Sequence, residues 1–203
     1  MAGAGHELLL ATHNEHKRRE LERLLARGGS VRWSLAMLPD EVALPPEVGV
    51  TFAENALCKA RGAAEVCARA SIADDSGIAA ATLGGRPGVR SARYAGEAAS
   101  DRENLEKLIR EAPAGSPLEY VCVIAYVDPA GPLERLFEGR CRGRMAHRPR
   151  GERGFGYDPV FLPDDGPPGL TMAELSDAQK DAISHRGRAA RALLSWLEGH
   201  PGA

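Results

Sequence analysis

Aromatic residues are scarce in this chain of 203 residues, which holds four Phe, four Tyr and two Trp. Any clustering of them therefore carries information. Cysteine is scarce too: Cys58, Cys67, Cys122 and Cys141 sit far apart without any Cys-x-x-Cys pair, and they read as reduced thiols in a reducing cytoplasm. Neither sign of charge dominates, with 26 Lys and Arg against 28 Asp and Glu and a formal net charge of −2. A nucleic-acid polymer as main partner needs a basic excess on one face, and the near-zero net charge argues against it, whereas a small anionic ligand needs only a local cluster. The longest strongly apolar run, Val121 to Val127, is seven residues, far below the roughly 20 of a membrane-crossing helix. No membrane partner is expected. The first eleven residues contain Glu7 and lack a basic start, so no secretory leader is expected. Internal repeats and charge blocks are also lacking. With 23 Gly and 14 Pro the chain is loop-rich but below the roughly 25–30% of low-complexity sequence. A single domain over residues 1–203 is the expectation.

Patterning supplies the elements. Leu8 to Ala11 reads as a strand, Thr12 to Lys17 as a turn with Asn14 as helix cap, and Leu21, Leu24 and Leu25 as the buried stripe of a helix stopped by Gly28-Gly29. Val31 to Leu38 reads as a second strand. After Pro45-Pro46 a long Ala-rich helix starts at Thr51, with Glu54 completing a capping box, and runs to about Ala70. Ser71 to Asp74 is a short strand, Asp101 to Glu111 a helix, and Leu118 to Val127 with Leu133 to Met145 a hairpin. Val160 to Leu162 is another strand, and a last helix runs from about Gly187 to Glu198. Helices alternating with strands, with one antiparallel pair, indicate an α/β fold on a mixed β-sheet.

Five stretches place polar side chains beside glycines or at element ends. Thr12 to Lys17 leads from a strand into a helix, where free N–H groups and the helix dipole favour phosphate and Lys17 adds charge; a capped surface turn explains it equally. Asp74-Asp75-Ser76-Gly77 ends a strand with two carboxylates. Either one of them faces a site, or the chain turns at Ser76-Gly77 and brings both to it. Such carboxylates suit a hard cation and a base for water. Gly154-Phe155-Gly156-Tyr157-Asp158-Pro159 concentrates aromatics among glycines, so that Phe155 or Tyr157 could offer a flat face to a base. Lys180 and His185 are five residues apart and would diverge by about 140° in a continuous helix, so a break near Ser184 is expected if both serve one ligand. Asn55 and Lys59 share a helix face, with Glu47 upstream. His6, His13, His16, His147 and His200 form no metal-ligand spacing.

In this order and at these separations, joined by Pro87-Gly88 and Ser91 to Gly96, the five stretches resemble the inosine triphosphate pyrophosphatase family over nearly the whole chain. The resemblance implies an elongated mixed β-sheet flanked by helices, two lobes with a central cleft, and a homodimer that uses Mg²⁺. It implies hydrolysis of non-standard purine nucleoside triphosphates (ITP, dITP, XTP) to the monophosphate and pyrophosphate. By position, Thr12, His13, Asn14, Glu15, His16 and Lys17 would line the phosphates, Lys59 would touch the triphosphate, and Asp75 would act on the attacking water and hold the metal with Glu47. Ser76 would contact substrate. Phe155, Gly156, Tyr157 and Asp158 would enclose base and sugar, and Lys180, His185 and Arg186 would complete the base pocket. Asp74 is present without an assigned role. The chain departs from the family pattern at His13, where glycine is usual, and at Val48 and Gln179, where Thr and Glu are common. Two other readings remain open at this level: a pyrophosphatase acting on modified pyrimidine triphosphates, and a catalytically silent nucleotide-binding or RNA-binding module.

Overall fold

The structure is a computed structural model that describes residues 6–26, 33–39 and 41–200. Six strands form one mixed sheet in the order β2-β1-β3-β4-β5-β6. They are β1 (His6–Leu10), β2 (Trp33–Met37), β3 (Ser71–Ala80), β4 (Pro117–Asp128), β5 (Leu133–Met145) and β6 (Phe161–Pro163). The helices are α1 (Glu15–Ala26), α2 (Phe52–Cys67), α3 (Asp101–Glu111), α4 (Asp177–Ile183) and α5 (His185–Glu198). β1 pairs in parallel with β2 and with β3, and β5 with β6 antiparallel, so the expected mixed α/β sheet is present. Gly28, Gly29 and Val31 lie outside the described residues. Among the described residues no helix is long and apolar enough to cross a membrane.

By its internal contacts the chain divides into two units. Unit 1 is Met1–Asp75, Cys122–Glu138 and Arg188–Ala203; unit 2 is Ser76–Val121 and Gly139–Gly187. In unit 1 the strands are apolar on both faces, because each face carries helices. Leu8 and Leu10 of β1, Ile72 of β3 and Cys122, Ile124 and Tyr126 of β4 pack with Leu21, Leu24 and Leu25 of α1 and with Ala189, Leu193 and Leu197 of α5. The intervening residues Leu9, Ala73, Val123 and Ala125 pack instead with Ala56, Ala60, Ala63 and Ala64 of α2. This alternation is the two-residue period of a strand read against a helical stripe. The small side chains of α2 allow close approach: a Cβ at Gly62 would lie 2.8 Å from Pro45. α2 starts on the expected Thr51–Glu54 capping box and ends at Cys67, not near Ala70, because Ala68 turns into the left-handed region at φ 50°.

Unit 2 has its own core of Ile78, Leu108, Leu118, Tyr120, Cys141, Met145, Tyr157, Val160, Phe161, Met172 and Leu175. α3 spans the expected residues, opened by a Ser100–Glu103 capping box, and buries Leu108. Its buried Asn104 holds the preceding loop, accepting from Ala95 N at 2.7 Å and donating to Ala92 O at 3.0 Å.

The largest departure from the sequence reading is β3. The strand does not stop at Asp74 but runs ten residues to Ala80, through Ser76 and Gly77. No turn forms there. The polar residues are carried inside the sheet, where backbone pairing and buried neighbours override the turn preference of Asp-Ser-Gly.

Candidate active site

The continuity of β3 decides how its two aspartates are used. Asp74 and Asp75, both buried, project to opposite faces of one strand. Asp74 Oδ2 lies 3.3 Å from the ammonium of Lys17 on α1 and 3.9 Å from Cys122 Sγ on β4. Asp75 Oδ2 accepts from Asn55 Nδ2 on α2 at 2.9 Å, and Asp75 Oδ1 is 3.9 Å from Lys59 Nζ, one turn along the same helix. Lys59 Nζ also reaches Glu47 Oε1 at 2.5 Å and donates to the carbonyl of Asp74 at 2.8 Å. Asn55 Oδ1 accepts from Gly49 N at 2.8 Å, which ties the Glu47-bearing segment to α2. Unit 1 thus gathers three carboxylates and two ammonium groups from four segments.

Their formal charges sum to −1. Burial pushes the Asp75 carboxyl above its ordinary value; Lys59, Lys17 and the Asn55 hydrogen bond oppose the rise, and Glu47 adds to it. Burial would by itself lower Lys59. Asp74, Asp75 and Glu47 outweigh it, so this lysine stands above its ordinary value.

Glu47 and Asp75 converge on one ammonium, so their oxygens already frame a cation. Among the described residues no group of three or more His, Cys, Asp or Glu side chains has the arrangement of a metal site. A pair of hard oxygen donors nevertheless fits Mg²⁺, which takes one or two carboxylates and fills its other positions with water and phosphate oxygens.

Unit 2 gathers the second set. Asp158, buried, accepts on Oδ2 from Lys180 Nζ at 2.5 Å and from Phe155 N at 3.0 Å, and on Oδ1 from the Tyr120 hydroxyl at 3.2 Å. The Phe155 ring is approached by Lys180 Nζ at 5.1 Å and by the Arg186 guanidinium at 5.7 Å. Arg186 is 1% exposed and its Nη2 donates to Ser76 Oγ at 2.8 Å. His185 lies flat on Tyr120, ring centres 4.5 Å apart and planes within 4°. The expected break is at Ser184, whose ψ of 155° separates α4 from α5; α5 therefore begins at His185, two residues before the expected start. That break brings Lys180 and His185 to one cluster. Gly154 adopts φ 73°, and a Cβ there would meet Asp158 Oδ2 at 2.0 Å, so only glycine fits.

Within Thr12 to Lys17 the residues do different things. Asn14 caps α1, accepting from His16 N at 3.0 Å and Lys17 N at 3.1 Å. Thr12 is buried and its Oγ1 accepts from Asn14 N. Glu15 pairs with Arg18, while His13 and His16 are exposed. Of the two aromatics proposed to face a base, Tyr157 is buried in the core of unit 2 with its hydroxyl donated to Ser91 O at 2.7 Å, leaving half-buried Phe155 as the available ring. Gly156 N donates to Asp101 Oδ2 at 3.2 Å. Ser91 is a brace: its hydroxyl accepts from Ile78 N at 2.9 Å and donates to Gly88 O. Gln179 closes the capping box of α4 with Ser176. Sequence reasoning missed Tyr120 and Cys122, which lie in an apolar strand where nothing in the pattern separates a site residue from a core residue.

The Ham1 family profile matches residues 8–196. A dITP/XTP pyrophosphatase of Geobacillus kaustophilus is 47% identical over 199 residues, covering 95% of this chain and 95% of its own. One of Mycolicibacterium paratuberculosis is 45% identical over 197 residues, covering 94% and 95%. Among solved structures, a HAM1 protein from Coxiella burnetii superposes with a TM-score of 0.81 at 37% identity, covering 96% of this chain and 99% of that one. The Staphylococcus aureus Ham1 protein gives 0.78 at 36%, covering 95% and 98%.

Proposed function

The chain belongs to the Ham1 family, and from that premise we propose that it hydrolyses non-standard purine nucleoside triphosphates, ITP, dITP and XTP, to the monophosphate and pyrophosphate. The observation that carries the reading is the cluster of Asp75, Glu47, Lys59, Asp74 and Lys17, in which the Lys59 ammonium lies against Glu47 and Asp75 and the Lys17 ammonium against Asp74. Support also comes from the relatives named dITP/XTP pyrophosphatase, which match end to end.

Water attacking the α-phosphorus approaches a centre ringed by anionic oxygens, so that charge has to be neutralised first. Lys17 and Lys59 serve this, with the free N–H groups at the start of α1 around Thr12 to Lys17. Asp75 orients the water and takes its proton as the oxygen–phosphorus bond forms and pyrophosphate departs. Glu47 and Asp75 would hold Mg²⁺, which would supply positive charge against the triphosphate. The cluster's formal charge of −1 argues for such an addition: without it the site would repel its substrate.

Purine choice falls to unit 2. ITP carries an acceptor oxygen at position 6 where ATP carries a donor amine. Donors from His185 and Arg186 pair with the first and are left unmet by the second, at a cost of roughly 1–3 kcal/mol each. Phe155, under two cations, offers the base a face, and Ser76 contacts the substrate. We propose further that the enzyme is a homodimer working in the cytoplasm.

The test is pyrophosphate release from ITP, XTP, GTP and ATP with and without Mg²⁺, with light scattering on the same sample. ITP and XTP are expected to exceed ATP by on the order of a hundredfold in kcat/KM, Mg²⁺ to be required, and the mass to be twice 21.6 kDa. Equal efficiencies for ITP and ATP would remove the base assignment.

A further inference from the structure

Tyr120 belongs to no stretch that sequence reasoning singled out, yet it touches two members of the unit 2 cluster at once. Its ring lies parallel to His185 at 4.5 Å, and its hydroxyl donates to Asp158 Oδ1 at 3.2 Å. Its other ring contact is tilted, against Phe161 at 4.6 Å and 45°. The residue is 6% exposed and projects from β4 among the unit 2 core residues.

Resting on the base-recognition reading above, we infer that Tyr120 is a positioning residue for purine choice, which holds the His185 ring and the Asp158 carboxylate in one fixed relation. Two physical points carry this. A ring stacked face to face loses its freedom to tip, so the direction of the His185 N–H groups is set by Tyr120 as well as by its own backbone. A carboxylate whose two oxygens both accept hydrogen bonds cannot rotate about its Cβ–Cγ bond without breaking one. Asp158 Oδ2 is already taken by Lys180 and Phe155 N; the Tyr120 hydroxyl on Oδ1 completes the lock. Through Asp158 the lock extends to Lys180 and to the backbone beneath the Phe155 ring, and through His185 to the neighbouring Arg186. One side chain that does not need to touch the nucleotide thereby sets the angle between a stacking face and a donor.

Two variants separate the two contacts. Tyr120→Phe keeps the stack and removes the hydroxyl; Tyr120→Leu removes both. Misplacing a recognition group by about 1 Å can cost on the order of a hundredfold. We expect KM for ITP to rise about threefold to tenfold in Tyr120→Phe and on the order of tenfold to a hundredfold in Tyr120→Leu, with kcat within about twofold of the unchanged protein in both. The preference for ITP over ATP falls in step. Calorimetric titration with IMP, which has the base but needs no turnover, is expected to give the same ranking of Kd. Should Tyr120→Leu lose its circular dichroism signature, Tyr120→Phe decides alone. Unchanged KM and IMP affinity, or equal losses for ITP and ATP, overturn the inference. If the unchanged protein releases no pyrophosphate from ITP, the hydrolysis reading fails, and IMP titration of the three proteins still decides the role of Tyr120.

Discussion

At the scale of the residue, Asp75 is the group on which both chemistry and titration turn. Asp75→Asn keeps the shape and a hydrogen-bonding partner for Asn55 but removes the base, and turnover is expected to fall by about 10²–10⁴-fold. Its effect on stability has the opposite sign. The folded-state pKa of Asp75 is raised, first by burial, so its contribution to stability is present below the ordinary value of 3.8 and is lost as pH rises through the folded value. At pH 7 the ionised Asp75 is therefore a net cost. In metal-free protein Asp75→Asn is expected to melt above the unchanged chain at pH 7, the gap closing as pH falls below 3.8. A variant that melts lower at pH 7 would show that Lys59 and Asn55 outweigh burial. Lys59 stands above its ordinary 10.5, so its contribution is fully present below that pH and is lost only above it. Within the range where such an enzyme works, Lys59 stays a cation.

At the scale of the element, α2 shows how a helix cap reaches a site. Thr51 Oγ1 accepts from Glu54 N at 3.2 Å, and Glu54 Oε2 accepts from Thr51 N at 3.1 Å, which fixes the first turn. Asn55 and Lys59 follow on that helix, aimed at β3. Thr51→Ala is expected to lower stability by about 1 kcal/mol, read as a lower denaturant midpoint with an unchanged m-value. This cap was legible from the Thr-x-x-Glu spacing, as were the extent of α3 and the hairpin of β4 and β5, because in each the local pattern and the final packing agree. β3 was not. Asp-Asp-Ser-Gly carries turn chemistry, and its place in the sheet beside β4 keeps it extended to Ala80, beyond Ser71 and Ile72 where the pairing with β1 ends. The extension matters, since alternation along an unbroken strand gives Lys17 to Asp74 and Asn55 to Asp75, where a turn would have offered both aspartates to one side.

At the scale of the whole molecule, the chain passes between its two units after Asp75, Val121, Glu138 and Gly187, so neither unit is a continuous stretch. A chain ending at Asp75 would stop in the middle of β3 and lose the β4 and α5 residues, Ile124, Tyr126, Leu193 and Leu197, that pack on Leu8 and Ile72. Such a fragment is expected to show no cooperative thermal transition by circular dichroism; a sharp one would show that β1, β2 and the two N-terminal helices suffice as a core. The amino-acid sequence by itself determined the class of fold, the caps of α1 and α2 and the set of polar residues worth suspecting, because these follow from periodicity and from contacts within a few positions. Tertiary structure alone decided which lysine meets which aspartate, that Tyr157 is core while Phe155 carries the cations, and that Tyr120 joins His185 to Asp158. Those pairings span tens of residues, and their strength comes from burial, which no local pattern encodes.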